Sequence, residues 1–192
     1  MKATGIVRRI DELGRVVIPK EIRRTLRIRE GDALEIYTDR DGGVILKKYS
    51  LVGELGDFAK EYAESLHQAV GHIAVICDKD SIVAAASASR KEYAPGAMLA
   101  PERAISEALD EAIAMRKGQT RIAAKGDVMI PVTVGENAAE RYTAQLVQPI
   151  LAGGDAIGAV LLLSREQNAV FSPADTKVAE TAASFLGRQM EN

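Results

Sequence analysis

The chain has 192 residues, of which 47% are hydrophobic and 27% charged, with no tryptophan and a single cysteine, Cys77. No apolar segment approaches the roughly 20 residues that a membrane span needs, no signal-peptide core follows the first residues, and one cysteine excludes an internal disulfide. We therefore expect a cytoplasmic globular protein, not a membrane protein, with one large domain or two small ones.

The net charge of −2 conceals an uneven distribution along the chain. Residues 1–29 contain nine Lys or Arg against three Asp or Glu, and residues 1–50 contain twelve against eight, which leaves a net −6 for residues 51–192. Such asymmetry indicates a polyanionic partner for the basic end. A solvated surface with clustered arginines is the alternative that charge alone leaves open.

The first fifty residues alternate between short apolar segments and turns. The predicted elements are two strands, a short helix opened by a proline, and two further strands, at residues 4–10, 15–18, 19–26, 34–38 and 44–48. A polar turn at 11–14 joins the first pair, and Asp41-Gly42-Gly43 is a hairpin signal between the last pair. So small a unit, without cysteine or metal ligands, cannot bury a sufficient core alone. We therefore expect an obligate dimer.

Residues 55–192 have the pattern of a complete globular domain. The predicted helices lie at 55–70, 101–117 and 173–190, and the predicted strands at 72–78, 81–87, 128–134, 145–151 and 156–164. Gly71 and Gly118 end the first two helices, and a capping box at 172–175 opens the third. The pattern predicts an antiparallel sheet flanked by helices, joined to the basic end by a linker at 51–55.

Cationic residues are concentrated in the basic end. Four of them fall at spacings i, i+3, i+4 and i+7 and share one face of the predicted helix: Lys20, Arg23, Arg24 and Arg27. Three more flank the predicted turn: Arg8, Arg9 and Arg15. Arginine binds phosphate or guanine bidentately, so double-stranded DNA is the expected partner, with a steep salt dependence. Because residues 1–50 contain no Asn or Gln, we expect phosphate contacts and duplex shape to matter more than base readout.

The segments GIVRRIDELGRVVIPKEIRRTL (5–26) and GDALEIYTDRDGGVILKKY (31–49) resemble the DNA-binding domain of the AbrB family. The resemblance implies a dimeric all-β barrel of interleaved, swapped hairpins with one short helix, covering residues 1–50. It also implies that arginines of this domain contact DNA. The main candidates are Arg8, Arg15, Arg23 and Arg24, with Arg9 assisting, and the further candidates are Lys2, Lys20 and Arg27. Solvation alone is the alternative for Arg27 and Arg29, and Lys47 and Lys48 are better explained as guards of an edge strand. Within this family, a second domain of this size is similar to a regulator of sporulation genes, which implies a tetramer that both activates and represses.

Residues 55–180 resemble a GAF domain, an α+β fold, most closely from Ala156-Ile157-Gly158 to Asp175. The resemblance implies a regulatory domain at 56–192 that can bind an unidentified small-molecule effector, although no cyclic-nucleotide signature or chromophore cysteine is present. No cofactor is predicted. The apolar faces of the helices at 55–70 and 173–190 fit either a domain core or an oligomerisation bundle, and the two roles are compatible.

Two other classes of function are weaker. An antitoxin-type autorepressor would have the same basic end but an extended partner-binding segment in place of a globular domain. An enzyme is the least supported class, since His67 and His72 do not form a metal site and Gly153-Gly154 is a hairpin turn and not a phosphate loop. Cys77 lies in an apolar segment and is predicted to be a core residue.

Overall fold

A computed structural model describes residues 5–191, apart from the side chains at positions 54 and 57. The chain divides between Tyr49 and Ser50 into two compact units, called here the first unit and the second unit. Among the described residues, no helix combines the length and the apolar character needed to cross a membrane.

The first unit contains one short helix and one hairpin. Helix α1 spans Lys20–Thr25, and the hairpin pairs β1 (Leu34–Thr38) with β2 (Val44–Lys48) in antiparallel register. Pro19 immediately precedes α1, where its missing N–H leaves no helical hydrogen bond unmade. The helix and both strands confirm the sequence prediction to within one residue at each end.

The two strands predicted at 4–10 and 15–18 are not formed within one chain. Position 4 lies outside the described residues, and the described part of both segments has no regular secondary structure. The segments meet at a turn, where the Asp11 N–H donates to the Arg15 carbonyl oxygen at 3.0 Å and Gly14 adopts a positive φ of 75°. A strand needs a second backbone along its length, and a single chain does not supply one here. This prediction is wrong for one chain taken alone.

A five-stranded antiparallel sheet forms the centre of the second unit. Its strands are β3 (Ile73–Asp78), β4 (Ile82–Ala86), β5 (Gln119–Ile122), β6 (Ala144–Ala152) and β7 (Asp155–Ser164). The order across the sheet is β4-β3-β7-β6-β5. The central strand is therefore β7, which pairs with β3 on one side and with β6, its partner in a long hairpin, on the other. The two predicted hairpins of this unit are confirmed, and β5 is an addition that the sequence did not indicate.

Helices cover both faces of this sheet. On one face, α2 (Gly56–Val70) packs against β3 and β4, and α5 (Pro173–Gln189) packs against β6 and β7. On the other face lie α3 (Glu107–Ala114), α4 (Ala138–Arg141) and the long connections around them. Each face has its own buried apolar cluster, which gives a three-layer α+β architecture.

Local signals set the ends of the two long helices. Gly71 ends α2 in the left-handed conformation, with φ of 72°. The Ser172 hydroxyl accepts the Asp175 N–H, and the Asp175 carboxylate accepts the Ser172 N–H, which completes the predicted capping box at the start of α5. Both predictions are confirmed.

The helix predicted at 101–117 is shorter than expected, because its first residues pair with other parts of the chain. Ala104 bridges to Ser81, and Ile105 bridges to Thr133, so the helix starts only after Ser106. The Ser106 hydroxyl caps it by accepting the Leu109 N–H at 3.0 Å. The helix ends at Ala114, before the predicted stop at Gly118.

The strand predicted at 128–134 is also wrong, since side chains take the place of a neighbouring strand. The carboxamide of Gln145 accepts the Ile130 N–H at 2.8 Å and donates to the Ile130 carbonyl oxygen at 2.7 Å. The Glu136 carboxylate accepts the N–H groups of Val132 and Thr133. These side chains thus bond the backbone N–H groups of residues 130, 132 and 133 and the carbonyl oxygen of residue 130, which a neighbouring strand would otherwise bond.

The start of the second unit is anchored in its core. Val52, inside the range predicted as a linker, is fully buried among the residues under α2 and α5. Ser50 donates its hydroxyl proton to the Asp78 carboxylate at the end of β3. Residues 50–52 are therefore tied to the sheet.

Candidate nucleic-acid interface

A tight turn organises the basic segment before α1. The Asp11 carboxylate accepts the N–H groups of Leu13 and Arg15 on Oδ1, at 3.0 and 2.8 Å, and the Arg15 Nε–H on Oδ2 at 2.8 Å. These bonds, first the backbone bond from Arg15 and then its side chain, lower the pKa of Asp11. The turn therefore fixes one arginine of the predicted set against a neighbouring carboxylate.

Five other cationic residues predicted to bind DNA are not engaged by acids of the described chain. Four of them are exposed and one is half-buried; they are Arg8, Arg9, Lys20, Arg24 and, half-buried, Arg23. None of the five forms an ion pair with another described residue. Cations left unpaired on one small unit can neutralise an external polyanion without first giving up an internal partner.

The structure brings part of the predicted stripe together and excludes one member. Lys20, Arg23 and Arg24 lie within α1, and the Arg23 Nε is shielded from solvent without a hydrogen-bond partner among the described residues. Arg27 has a φ of 52° and follows the end of the helix, so it does not continue the stripe. The prediction that Arg27 shares the helical face was wrong, because α1 ends at Thr25, two residues before it. Lys2 lies outside the described residues.

Two further lysines of the first unit have partners within it. The Lys48 ammonium lies 3.1 Å from the Asp32 carboxylate and donates to the Arg27 carbonyl oxygen. Burial opposes ionisation of Asp32, but the hydrogen bonds from Arg29 and Lys48 prevail and lower the pKa of this carboxyl. The Lys47 ammonium stands 5.0 Å from the centre of the Tyr37 ring. Both lysines therefore differ from the five cations that form no ion pair with a described residue.

Apolar side chains of the first unit are unusually open to solvent. Among the described residues, twelve large apolar side chains are exposed in this unit and seven in the second unit, which is nearly three times as long. α1 buries none of its residues. A groove of about 320 Å³ runs between the segments and is lined by Ile6, Arg8, Val16, Val17, Ile18, Pro19, Ile22, Leu26, Ile28 and Leu46. Exposed apolar surface of this kind is typical of protein–protein interfaces and of ligand-binding grooves.

The second unit holds a chain of buried and half-buried ionic groups on its α3 side. The Glu136 side chain is fully buried and accepts the Tyr142 hydroxyl at 2.7 Å, with the Arg141 Nε at 2.9 Å. Arg141 also reaches Glu92, and Arg165 holds the same Glu92 carboxylate with both terminal nitrogens. Burial and the nearby Glu136 raise the pKa of Tyr142. Sequence reasoning missed this network because partners up to 73 residues apart leave no spacing pattern.

The face of the sheet that carries this network is filled by side chains. The large buried residues there include Leu99, Ile105, Leu109, Ile113 and Leu161. Cys77 is fully buried in the same cluster, which confirms its predicted core position, and burial raises the pKa of its thiol. The residues that the structure describes contain no group of three or more side chains suited to hold a metal ion.

Three aromatic rings meet on the outer side of α2 and α5. Phe58 stacks on Tyr62 at 5.6 Å, and Phe185 lies 6.1 Å from Phe58 and 5.6 Å from Tyr62. Both phenylalanines remain 40% exposed, and burial raises the pKa of Tyr62. We call these three residues the aromatic cluster.

Both units match families of known proteins. A family described as "Stage V sporulation protein T C-terminal, transcription factor" matches residues 54–191, and one described as "Antidote-toxin recognition MazE, bacterial antitoxin" matches residues 7–53. The fold and these matches define a transcription regulator with an AbrB-type first unit. The chain is 51% identical to stage V sporulation protein T of Bacillus subtilis, over 100% of this chain and 99% of that protein. It belongs to the stage V sporulation protein T family.

Each unit also has relatives of its own. The transition state regulatory protein AbrB of B. subtilis is 62% identical over 63 residues, which are 30% of this chain and 65% of that protein. The GAF domain of an Acinetobacter phosphoenolpyruvate-protein phosphotransferase matches 75% of this chain and 84% of its own, with a TM-score of 0.53 and 15% identity. The AbrB-type resemblance of the first unit and the GAF-type fold of the second are both confirmed.

Proposed function

We propose that the chain regulates transcription by binding double-stranded DNA through its first unit. Arg8, Arg9, Arg15, Arg23 and Arg24 are the contacting residues, supported by Lys20. The observation that carries the proposal is the unpaired state of these cations: apart from Arg15, none is neutralised by an acid of the described chain. Membership of a family of transcription factors supports the same reading.

Two chains supply the interface in this proposal. The segments at 5–10 and 15–18 take their missing strand partners from a second copy, whose hairpins interleave with them and cover the apolar groove. A dimer then presents every arginine twice on one face. Contacts to phosphate and to duplex shape supply most of the affinity, since the first fifty residues contain no Asn or Gln.

The second unit is, in the same proposal, the regulatory domain of an activator and repressor of sporulation genes. Its aromatic cluster joins two N-terminal dimers into a tetramer by packing against the same cluster of another chain. A small-molecule effector acts through the GAF-type fold, and its binding requires movement of the side chains that fill the α3 side of the sheet.

Salt titration of duplex binding tests the arginine assignment. Full-length wild type, Arg23→Ala and Arg24→Ala are titrated on a pool of labelled random-sequence duplexes. Each lost phosphate contact flattens the slope of log affinity against log salt by about 0.9, so a variant dimer loses about 2. Arg40→Ala is the matched control, because Arg40 is an exposed arginine of the same unit that is not among the proposed contacts. Folded variants that bind like wild type contradict the assignment.

A second candidate is an antitoxin-type autorepressor whose second unit binds a partner protein, and the antitoxin match over residues 7–53 favours it. That function predicts an extended partner-binding segment, whereas residues 50–191 fold around two apolar clusters. It also predicts that the product of the adjacent gene is toxic when expressed without this chain. Growth on induction of that gene alone distinguishes the two candidates.

A further inference from the structure

An acid lies in the middle of the basic segment. Asp11 is separated from Arg9 by one residue and from Arg15 by three, and its side chain is 43% exposed. A carboxylate on a surface that meets phosphates repels them, so this position carries an electrostatic cost for DNA binding. The contacts of its two oxygens indicate what offsets that cost.

Both oxygens of Asp11 hold the turn and the arginine that follows it. Oδ1 accepts two backbone N–H groups, from Leu13 and Arg15, and Oδ2 accepts the Arg15 Nε–H at 2.8 Å. The Arg15 side chain is nevertheless 69% exposed, and its two terminal nitrogens have no partner among the described residues. The ion pair therefore uses the inner end of the guanidinium and leaves the outer fork directed to solvent.

We infer that Asp11 is a positioning residue for DNA binding, holding the Arg15 guanidinium so that its terminal nitrogens meet a phosphate. An arginine kept in one rotamer loses less side-chain freedom when it binds, and its planar fork is already oriented for two parallel hydrogen bonds. The inference rests on the proposed function, because it assigns Asp11 a task only if Arg15 contacts DNA.

The sign of one substitution separates positioning from plain electrostatics. Asp11→Asn removes the negative charge and the ion pair, while its carboxamide oxygen still accepts the two backbone N–H groups of the turn. If only charge matters, this change strengthens DNA binding. If Asp11 positions Arg15, the change weakens binding although it makes the surface more positive.

The experiment is a double-mutant cycle on the full chain, with a pool of labelled random-sequence duplexes as the probe. We expect Asp11→Asn to weaken binding by about threefold to tenfold, the effect of about one ordinary hydrogen bond, because the Arg15 contact is loosened and not removed. In the Arg15→Ala background the same change strengthens binding or leaves it unaltered, because no guanidinium remains to be positioned. Glu12→Gln is the matched control: Glu12 makes no side-chain hydrogen bond or ion pair with a described residue, so its loss does not weaken binding.

The other outcomes overturn either the inference about Asp11 alone or the proposed function as well. Stronger binding by Asp11→Asn, with Arg15→Ala still weakened, overturns the inference and leaves the proposed function standing. Equal weakening by Asp11→Asn in both backgrounds assigns Asp11 to the turn alone and also overturns it. A wild type without salt-dependent duplex binding overturns the proposed function together with the inference.

A measurement on the unsubstituted protein covers the case in which Asp11→Asn fails to fold. The Arg15 Nε–H resonance, assigned by its absence in Arg15→Ala, is expected to exchange slowly with water at neutral pH. Its protection relative to the N–H of free arginine at the same pH is then lost as the Asp11 carboxyl is protonated, below the ordinary aspartate pKa, since the backbone and side-chain hydrogen bonds from Arg15 lower that pKa. A resonance averaged with solvent throughout the neutral range overturns the inference.

Discussion

At the scale of single residues, the buried carboxylate of Glu136 is stabilised by three hydrogen-bond donors and a neighbouring cation. The Glu136 carboxylate accepts the N–H groups of Val132 and Thr133 and the Tyr142 hydroxyl, and the Arg141 Nε lies 2.9 Å from it as an ion pair. Because the side chain is fully buried, removal of any one of these partners weakens the compensation for a desolvated charge. Glu136 thus fixes a connection that has no helix or strand of its own.

Because the thiol of Cys77 is buried, we expect the second unit to lose stability as the pH rises into the alkaline range. Burial raises the pKa of the folded thiol above its ordinary value of 9.0, so only the unfolded chain ionises there near that pH. The stabilisation is complete below about pH 9 and is lost as pH rises. We expect the free energy of unfolding of wild type to fall relative to Cys77→Ala by at most about 1.4 kcal/mol per pH unit above pH 9.

Urea unfolding of both proteins at pH 7, 8, 9 and 10 measures this difference. Tyr142 also has a raised pKa, but it is present in both proteins, so its contribution cancels in the comparison. Parallel profiles across this range contradict the expected linkage.

Residue roles that depend on close neighbours in sequence were predictable, and those that depend on distant ones were not. Cys77 was placed in the core from its apolar surroundings, and the structure buries it completely. Helical spacing predicts that Arg27 continues the basic stripe, but the helix ends before it, because spacing alone does not reveal where a short helix ends. Glu92 and Arg165 are 73 residues apart, so only the tertiary fold brings them together.

At the scale of secondary structure elements, the same division holds. α2, α5 and the hairpins carry their own end signals, such as Gly71 and the Ser172 box, so their sequences predict them well. The segments at 15–18 and 128–134 have strand-like composition, but composition does not supply a backbone partner. In the second case, Gln145 provides the hydrogen bonds instead.

The capping box of α5 gives a prediction about the stability of this helix. Ser172→Ala removes the acceptor for the Asp175 N–H and is expected to lower the free energy of unfolding by about 0.5–2 kcal/mol. Ser184→Ala is the matched control, because Ser184 lies exposed inside the same helix, where alanine is the better helix former. Urea midpoints followed by circular dichroism compare the two, and an equal response of both variants contradicts the role of the cap.

At the scale of the whole molecule, each unit exposes apolar surface of a different kind. The first unit exposes many aliphatic side chains and an open groove, which suits an interleaved partner that completes its core. The second unit has a complete core and exposes one compact aromatic cluster on two helices. We expect the first contact to be obligate and the second to be separable from folding.

Sedimentation of the full chain tests this order of assembly. The double variant Phe58→Ser with Phe185→Ser removes two of the three clustered rings, and since both are 40% exposed the fold is expected to persist. We expect wild type to sediment as a tetramer and the variant as a dimer, because the groove of the first unit is untouched. Val128→Ser is the control, as Val128 is an exposed apolar residue outside the cluster, and it should remain tetrameric. A variant that stays tetrameric rules out the aromatic cluster as the joint between dimers, and one that becomes monomeric contradicts an obligate contact through the first unit.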